Sequence, residues 1–114
     1  MEIKITKDGI SRTELKNIAK NQFGNLVKIV VDTNKEIIAA GGELHSDEEA
    51  LLLQKGSEQK DLWGINIYPD KSEKDFIEFD SMINVRPSQD NNSRGVESVE
   101  IRQKIKDIMS KLVV

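Results

Sequence analysis

The sequence contains no cysteine, which excludes disulfides, thiolate-bound zinc and a cysteine nucleophile. It contains one histidine, so a metal site with two histidine ligands would need a second subunit. The longest apolar run is only a few residues, too short to span a membrane. The N-terminal residues alternate charged and apolar side chains and do not have the continuous apolar segment of a signal peptide. These absences favour a cytoplasmic protein with no membrane partner.

The chain also lacks a strong excess of either positive or negative charge. The 17 basic and 20 acidic side chains give a net charge of −3, so the chain has no general attraction for nucleic acid, although a local basic patch would still allow contact. Hydrophobic residues make up 37% of the chain and charged residues 32%, which is typical of a globular protein. A length of 114 residues suits one core, and we predict a single domain over residues 1–114.

Three segments have the periodicity and end signals of helices. Ser11 and Glu14 form a capping-box pattern before an apolar stripe, which predicts a helix over residues 12–23. Ser46 and Glu49 repeat that pattern and predict a short helix over residues 47–55. A third helix is predicted over residues 99–112, where a stripe recurs every three or four positions: Ile101, Ile105, Ile108 and Leu112.

Strands are predicted in two pairs. Residues 26–32 and 36–40 are rich in β-branched side chains and form one hairpin, and residues 62–68 and 76–86 form a second. The order helix, hairpin, short helix, hairpin, helix predicts an α+β fold with a mainly antiparallel sheet that helices cover on one face.

A first candidate site is the alternating set Glu43, His45 and Asp47. If this segment is extended, the three side chains point to one side, and oxygen and imidazole groups suit a divalent metal or a general base. The same residues also have the character of an ordinary helix start, where acidic groups are favourable. On that interpretation His45 is a capping or packing residue.

A second candidate is the polar face of the second hairpin. With Tyr68 opposite Phe76, an antiparallel register places Asn66 opposite Glu78 and Gly64 opposite Asp80. This face could bind a polar ligand, or a metal through the two carboxylates, but a solvated sheet face has the same composition. The candidate ligand-binding side chains on it are Asn66, Tyr68, Glu78, Asp80, Asn84 and Arg86.

The loop over residues 86–94 is the third candidate. Arg86, Asn92 and Arg94 could hold a phosphate or carboxylate, because guanidinium groups make paired hydrogen bonds to such anions. Asn, Ser and Pro are also the ordinary residues of loops. No nucleotide-binding or hydrolase motif is present, and nothing in the sequence requires a cofactor.

Several blocks of the chain carry a resemblance to a known family: Gly41-Gly42-Glu43-Leu44-His45-x-Asp47, Gly56-Ser57, Leu62-Trp63-Gly64-Ile65-Asn66-Ile67-Tyr68-Pro69, Ile83-Asn84-Val85-Arg86-Pro87, Asn92-x-Arg94 and Ile101-Arg102. On these blocks the chain resembles a family of small uncharacterised microbial proteins defined as a domain of unknown function. The resemblance implies a similar length and a single domain, but it carries no activity, cofactor or catalytic residue.

Two hypotheses about function remain. The first is a small binding or interaction protein, self-associating, that holds a partner or an anionic ligand on its polar sheet face and the 86–94 loop. The second is a metal-dependent hydrolase or nuclease, in which Arg86 or Arg94 neutralises phosphate charge and a divalent ion is bound by Glu43, His45, Glu78 and Asp80. Whether these groups converge in one cleft distinguishes the two hypotheses.

Overall fold

An antiparallel sheet of five strands forms the centre of the structure, a computed structural model that describes residues 2–114. The strands are β1 (Lys4–Thr6), β2 (Val27–Asp32), β3 (Ile37–Ala40), β4 (Leu62–Ile67) and β5 (Ile77–Glu78). Their order across the sheet is β1-β3-β2-β4-β5, and every neighbouring pair is antiparallel. The helices are α1 (Arg12–Asn21), α2 (His45–Gln54) and α3 (Val99–Leu112). The α+β class and the antiparallel sheet are therefore confirmed, while β1 was not predicted.

The larger core lies between one face of the sheet and helices α1 and α3. Alternate residues of β2 face it, namely Val27, Ile29 and Val31. The predicted stripe of α3 packs on this face, with Ile105, Ile108 and Leu112 buried and Ile101 partly buried. Parallel pairing between Ile10 and Val113 joins the start of α1 to the residue after α3. The period of 3.6 residues therefore located the docking face of α3 correctly.

Helix α2 packs on the opposite face of the sheet, where a smaller core gathers Val30, Ala39, Leu52 and Leu62. The sequence interpretation expected helices on one face only, and this part was wrong. Of the three consecutive leucines of α2, Leu52 is fully buried, Leu51 is half-buried and Leu53 is 40% exposed, so Leu52 provides the main contact. The sheet is consequently covered on both faces.

The last predicted strand is much shorter than expected. Strand β5 pairs Asn66 with Glu78, as the register predicted, but it ends at Glu78 and the expected pairing of Gly64 with Asp80 is absent from the described residues. Residues 82–84 form a 3-10 turn instead of continuing the strand. The side chain of Asn84 then bonds the free edge of β4: Gly64 N–H donates to Asn84 Oδ1 at 2.8 Å, and Asn84 Nδ2 donates to the Gly64 carbonyl at 2.9 Å.

The predicted start of α1 is confirmed in part. Ser11 Oγ accepts the Glu14 N–H at 3.0 Å. The Glu14 carboxylate bonds Lys4 Nζ at 2.9 Å and, within residues 2–114, makes no reciprocal bond to Ser11. Helix α1 ends at Asn21, two residues earlier than predicted, since Phe23 lies outside the core and is 44% exposed.

Among residues 2–114, no helix combines the length and the apolar character needed to cross a membrane.

Candidate functional site

A cavity of about 240 Å³ lies on the face of the sheet that carries α2. It is bounded by the start of α2, by β2 and β4, and by the segment that follows β5. We call it the polar cavity. Its polar lining is Lys28, His45, Ser46, Asn66, Asp80, Ser81 and Arg94. Apolar side chains of Leu44, Met82 and Ile83 complete the lining, and two of them, Leu44 and Met82, are 55% and 65% exposed.

The start of α2 forms one wall of the polar cavity. The predicted capping box at Ser46 is wrong, because the helix begins at His45 with Leu44 at the N-cap, and no side chain of the described residues caps it. Leucine is a poor N-cap, since it offers no oxygen to the first amides of a helix. The backbone N–H groups of His45 and Ser46 make no hydrogen bond within residues 2–114. These amides and the helix dipole make this wall electropositive.

His45 is hydrogen-bonded to the sheet, so its Nε2 is not free to bind a metal. Its Nε2 lies 2.8 Å from the Ile65 carbonyl, which can only accept, so Nε2 carries the proton and Nδ1 is the acceptor of the neutral ring. Burial lowers the pKa of His45, and the hydrogen bond to Ile65 partly opposes that change. The ring is therefore neutral near pH 7.

The structure does not bring Glu43, His45 and Asp47 together as ligands. Helix α2 begins at His45, so the segment is not extended, and both Glu43 and Asp47 are exposed. No cluster of three histidine or carboxylate groups suitable for a metal occurs among residues 2–114. The metal hypothesis required Glu43 and His45 to converge with Glu78 and Asp80, and of these four only His45 and Asp80 line the polar cavity.

Asn66 is oriented by the residues across the hairpin. Its Nδ2 donates to Glu78 Oε1 at 2.9 Å and to the Asp80 carbonyl at 3.3 Å, and Tyr68 Oη donates to the same Glu78 oxygen at 3.0 Å. Burial, followed by the contact with Glu78, raises the pKa of Tyr68. Asn66 itself is only 6% exposed, and its Oδ1 has no partner in the described part of the chain. A buried acceptor without a donor is costly.

Arg94 and Lys28 bring positive charge to the polar cavity. Arg94 Nε lies 2.6 Å from Asp80 Oδ1, and the Nη groups of Arg94 make no hydrogen bond with any residue after Met1. Lys28 lies directly opposite Asn66 in the pairing of β2 with β4. The lining thus combines two cations with one carboxylate, so its electrostatic balance favours an anion.

Arg86 lies elsewhere and serves the fold. Its guanidinium stacks on Trp63 at 4.1 Å and donates to the carbonyls of Gln59 and, at 2.7 Å, Leu62. Arg86 is 8% exposed, and burial lowers its pKa. These contacts attach the chain after β5 to the start of β4 and to the turn before it, and Arg86 does not line the polar cavity.

The asparagines of the 84–92 region also bond the protein itself. Besides its two bonds to Gly64, Asn84 Nδ2 donates to the Arg94 carbonyl at 2.9 Å. Asn91 donates to the carbonyls of Asn84 and Gly95 at 2.8 Å each and accepts the Glu97 N–H at 2.8 Å. Asn92 is exposed and contributes its backbone N–H to the Glu97 carboxylate. Asn84 and Asn92 therefore lie outside the polar cavity.

Of the residues proposed from sequence, the structure gathers His45, Asn66, Asp80 and Arg94 around one cavity. Three polar lining residues, Lys28, Ser46 and Ser81, were not predicted as site residues. The pairing of β2 with β4 was needed to place Lys28 beside Asn66. Ser46 was missed because its pattern was attributed to a cap.

Comparison with known proteins identifies a family. The family described as "Protein of unknown function (DUF5674)" matches residues 4–112. Neither the curated proteins nor the solved structures include a match to this chain.

Proposed function

The chain belongs to the DUF5674 family of unknown function, and we propose that it is a binding protein whose polar cavity holds a small anionic ligand. A volume of about 240 Å³ suits a small compound, since drug-sized ligands occupy cavities of roughly 300 to 1,000 Å³.

The observation that carries this proposal is the uncapped start of α2. A helix start leaves amides that need partners, and proteins commonly use Ser, Thr, Asp or Asn to supply them. Here Leu44 takes that position, and the His45 and Ser46 amides lie at the wall of a cavity that also contains Lys28 and Arg94. A phosphate or carboxylate placed there would accept from the amides and be stabilised by the two cations.

Asn66 adds a second requirement. Because its Nδ2 is held by Glu78 and Asp80, its Oδ1 is oriented away from them and needs a donor. This oxygen is closed to solvent, so a hydroxyl or amino group of the ligand would supply that donor after a small shift of the lining side chains. We therefore propose a hydroxylated phosphate or carboxylate as the ligand class.

The metal-dependent hydrolase receives less support. It requires Glu43, His45, Glu78 and Asp80 to share one ion, whereas Nε2 of His45 is already bonded to Ile65 and Glu78 accepts from Asn66 and Tyr68. Titration with Mg²⁺ or Zn²⁺ tests this alternative directly. Shifts of these four side chains at a stoichiometric amount of metal would favour it over the anion site.

The proposal is tested by NMR titration with inorganic phosphate and with glycerol phosphate, which adds hydroxyl groups. We expect the backbone amides of His45 and Ser46 to shift with both ligands and the Asn66 side-chain amide to shift more with glycerol phosphate. Replacement of Lys28 by Met should weaken binding about threefold to tenfold, because a charge-assisted contact is lost. Lys60→Met removes an exposed lysine outside the cavity and is the matched control. Equal weakening by both variants would contradict the site.

We also propose that the protein works in the cytoplasm and self-associates. The absence of cysteine is consistent with a reducing compartment, and exposed Leu44 and Met82 beside the cavity mouth offer apolar surface for a second copy. Light scattering of Met82→Lys against the parent protein tests the second point. A lower molar mass for the variant would support it, and a monomeric parent would refute it.

A further inference from the structure

A larger cavity of about 700 Å³ lies on the other face of the sheet, between α3 and the edge strand β5. Its apolar part is formed by Phe76 and Ile77 on one side and by Met109 and Val113 on the other. We call it the α3 groove. It is separated from the polar cavity by the sheet, because Phe76 and Met109 belong to the core that α1 and α3 share.

The rim of the α3 groove is cationic. Arg12, Lys74 and Lys106 line it, against one carboxylate from Glu73, although the whole chain has a net charge of −3. Lys74 and Lys106 are exposed and form no ion pair with another residue of the described range. Arg12 stacks on Phe76 at 4.4 Å and donates to the Pro69 carbonyl at 3.0 Å, which holds its charge at the groove wall. The positive charge is therefore local to this surface.

Strand β5 offers backbone groups at the same place. It is the last strand of the sheet, and Ile77 lies opposite Ile67. The Tyr68 N–H donates to the Phe76 carbonyl at 2.9 Å, so Phe76 directs that group toward β4. Because such groups alternate along an antiparallel strand, the N–H and carbonyl of Ile77 point away from β4. No residue of the described part of the chain bonds them from that open side.

We propose that the α3 groove binds an extended acidic segment of a partner protein, which adds beside β5. The Ile77 N–H and carbonyl would pair with its backbone, its apolar side chains would contact the partly exposed Ile77 and Val113, and its carboxylates would meet Lys74 and Lys106. Strand addition at a free sheet edge provides affinity through the main chain and specificity through alternate side chains. The cationic rim selects an acidic partner over a basic one. This interaction is independent of the polar cavity.

The experiment uses a fluorescent short peptide of alternating Glu and Val, with a Lys and Val peptide as its charge-reversed control. Anisotropy should increase with the acidic peptide alone. In hydrogen exchange, the Ile77 amide should become protected when that peptide is bound. An acidic peptide N-methylated at every second residue should not bind, because it lacks the amides that strand addition requires.

Two variants of α3 locate the contact. Lys106→Glu should weaken the acidic peptide about fivefold or more, since an attraction becomes a repulsion at the rim. Lys104→Glu makes the same charge change on the same helix, outside the groove, and should alter affinity less than twofold. Equal binding of the basic peptide, equal effects of the two variants or an unprotected Ile77 amide would each overturn the proposal. Protection of Ile77 by self-association, without peptide, would assign the groove to a second copy instead.

Discussion

Asn84 completes the sheet edge at Gly64 with its side chain. Its carboxamide accepts the Gly64 N–H at 2.8 Å and donates to the Gly64 carbonyl at 2.9 Å, and these are the two backbone groups that a longer β5 would have paired. A third bond from Asn84 Nδ2 to the Arg94 carbonyl attaches the wall of the polar cavity to this edge. One fully buried side chain thus replaces a stretch of strand and also positions the cavity wall.

Asn84→Ala should therefore be strongly destabilising. It leaves the Gly64 N–H and carbonyl without partners in a buried place, and each such group costs about 1 to 3 kcal/mol. Urea unfolding measures the change in free energy. Asn92→Ala is the matched control, because Asn92 is exposed and bonds through its backbone N–H. Equal midpoints for the two variants would show that the Asn84 bonds contribute little.

Glu48 should make stability depend on pH. It is fully buried, its Oε2 accepts the Gly42 N–H at 2.9 Å, and burial raises its pKa well above the ordinary value of 4.5. The folded state therefore binds the proton more tightly than the unfolded state, so the contribution of Glu48 is complete below pH 4.5 and is lost as pH rises toward the folded pKa.

Glu48→Gln removes this titration. We expect the variant to gain stability relative to the parent as pH rises above 4.5, measured as the difference in thermal midpoint across pH. Glu43→Gln, an exposed neighbour, provides the control. A constant difference between Glu48→Gln and the parent would mean that Glu48 has the same pKa in both states.

We expect replacement of Arg86 to lower the folding stability and replacement of Arg94 to weaken phosphate binding. Arg86→Ala removes the Trp63 stack, the bond to the Gln59 carbonyl and the bond to the buried Leu62 carbonyl, so we expect a loss of about 2 kcal/mol or more. Arg94→Ala removes a half-exposed ion pair, which contributes about 1 kcal/mol or less to folding, but it should weaken phosphate binding at the polar cavity. Calorimetric titration and chemical denaturation of both variants test the distinction. If Arg86→Ala instead weakened phosphate binding and Arg94→Ala instead lowered stability, the anion site would lie at Arg86.

Ile105→Ala tests how α3 docks. Ile105 is fully buried, and truncation of such a side chain leaves a cavity that costs about 2 to 5 kcal/mol. Val99→Ala lies on the same helix at a position that is 68% exposed and should change stability by less than about 0.5 kcal/mol. The two urea midpoints measure the contrast. If Ile105→Ala keeps the midpoint of the parent, the helix is not anchored by its apolar stripe.

Local sequence patterns correctly predicted strands that pair with a neighbour close in sequence, and a helix whose apolar repeat continues over several turns. The stripe of α3 and the hairpin of β2 and β3 belong to this class, and both are confirmed. Strand β5 was overextended because residues 76–86 continue to alternate after the pairing ends. Ser81 and Asn84 are buried there by contacts with β4, about 20 positions earlier, which no local pattern reports.

The candidate site was predictable only in its parts. The hairpin register placed Asn66 beside Glu78 correctly, since turn length and alternation determine it. The start of α2 was misread, because Ser46 and Glu49 match a capping box while Leu44 occupies the N-cap. Lys28 could join the set only after β2 was known to pair with β4, a long-range contact that the sequence does not reveal.

The bonds of Asn84 and Asn91 have a kinetic consequence for any ligand of the polar cavity. They order the segment that carries Arg94 during folding, so the cavity wall is preorganised before a ligand arrives. Ordering a loop at binding costs free energy, and because these bonds already hold the backbone of this segment, that part of the cost is met in advance. Association should then be limited by diffusion and charge steering rather than by loop closure, with a rate that decreases as salt increases.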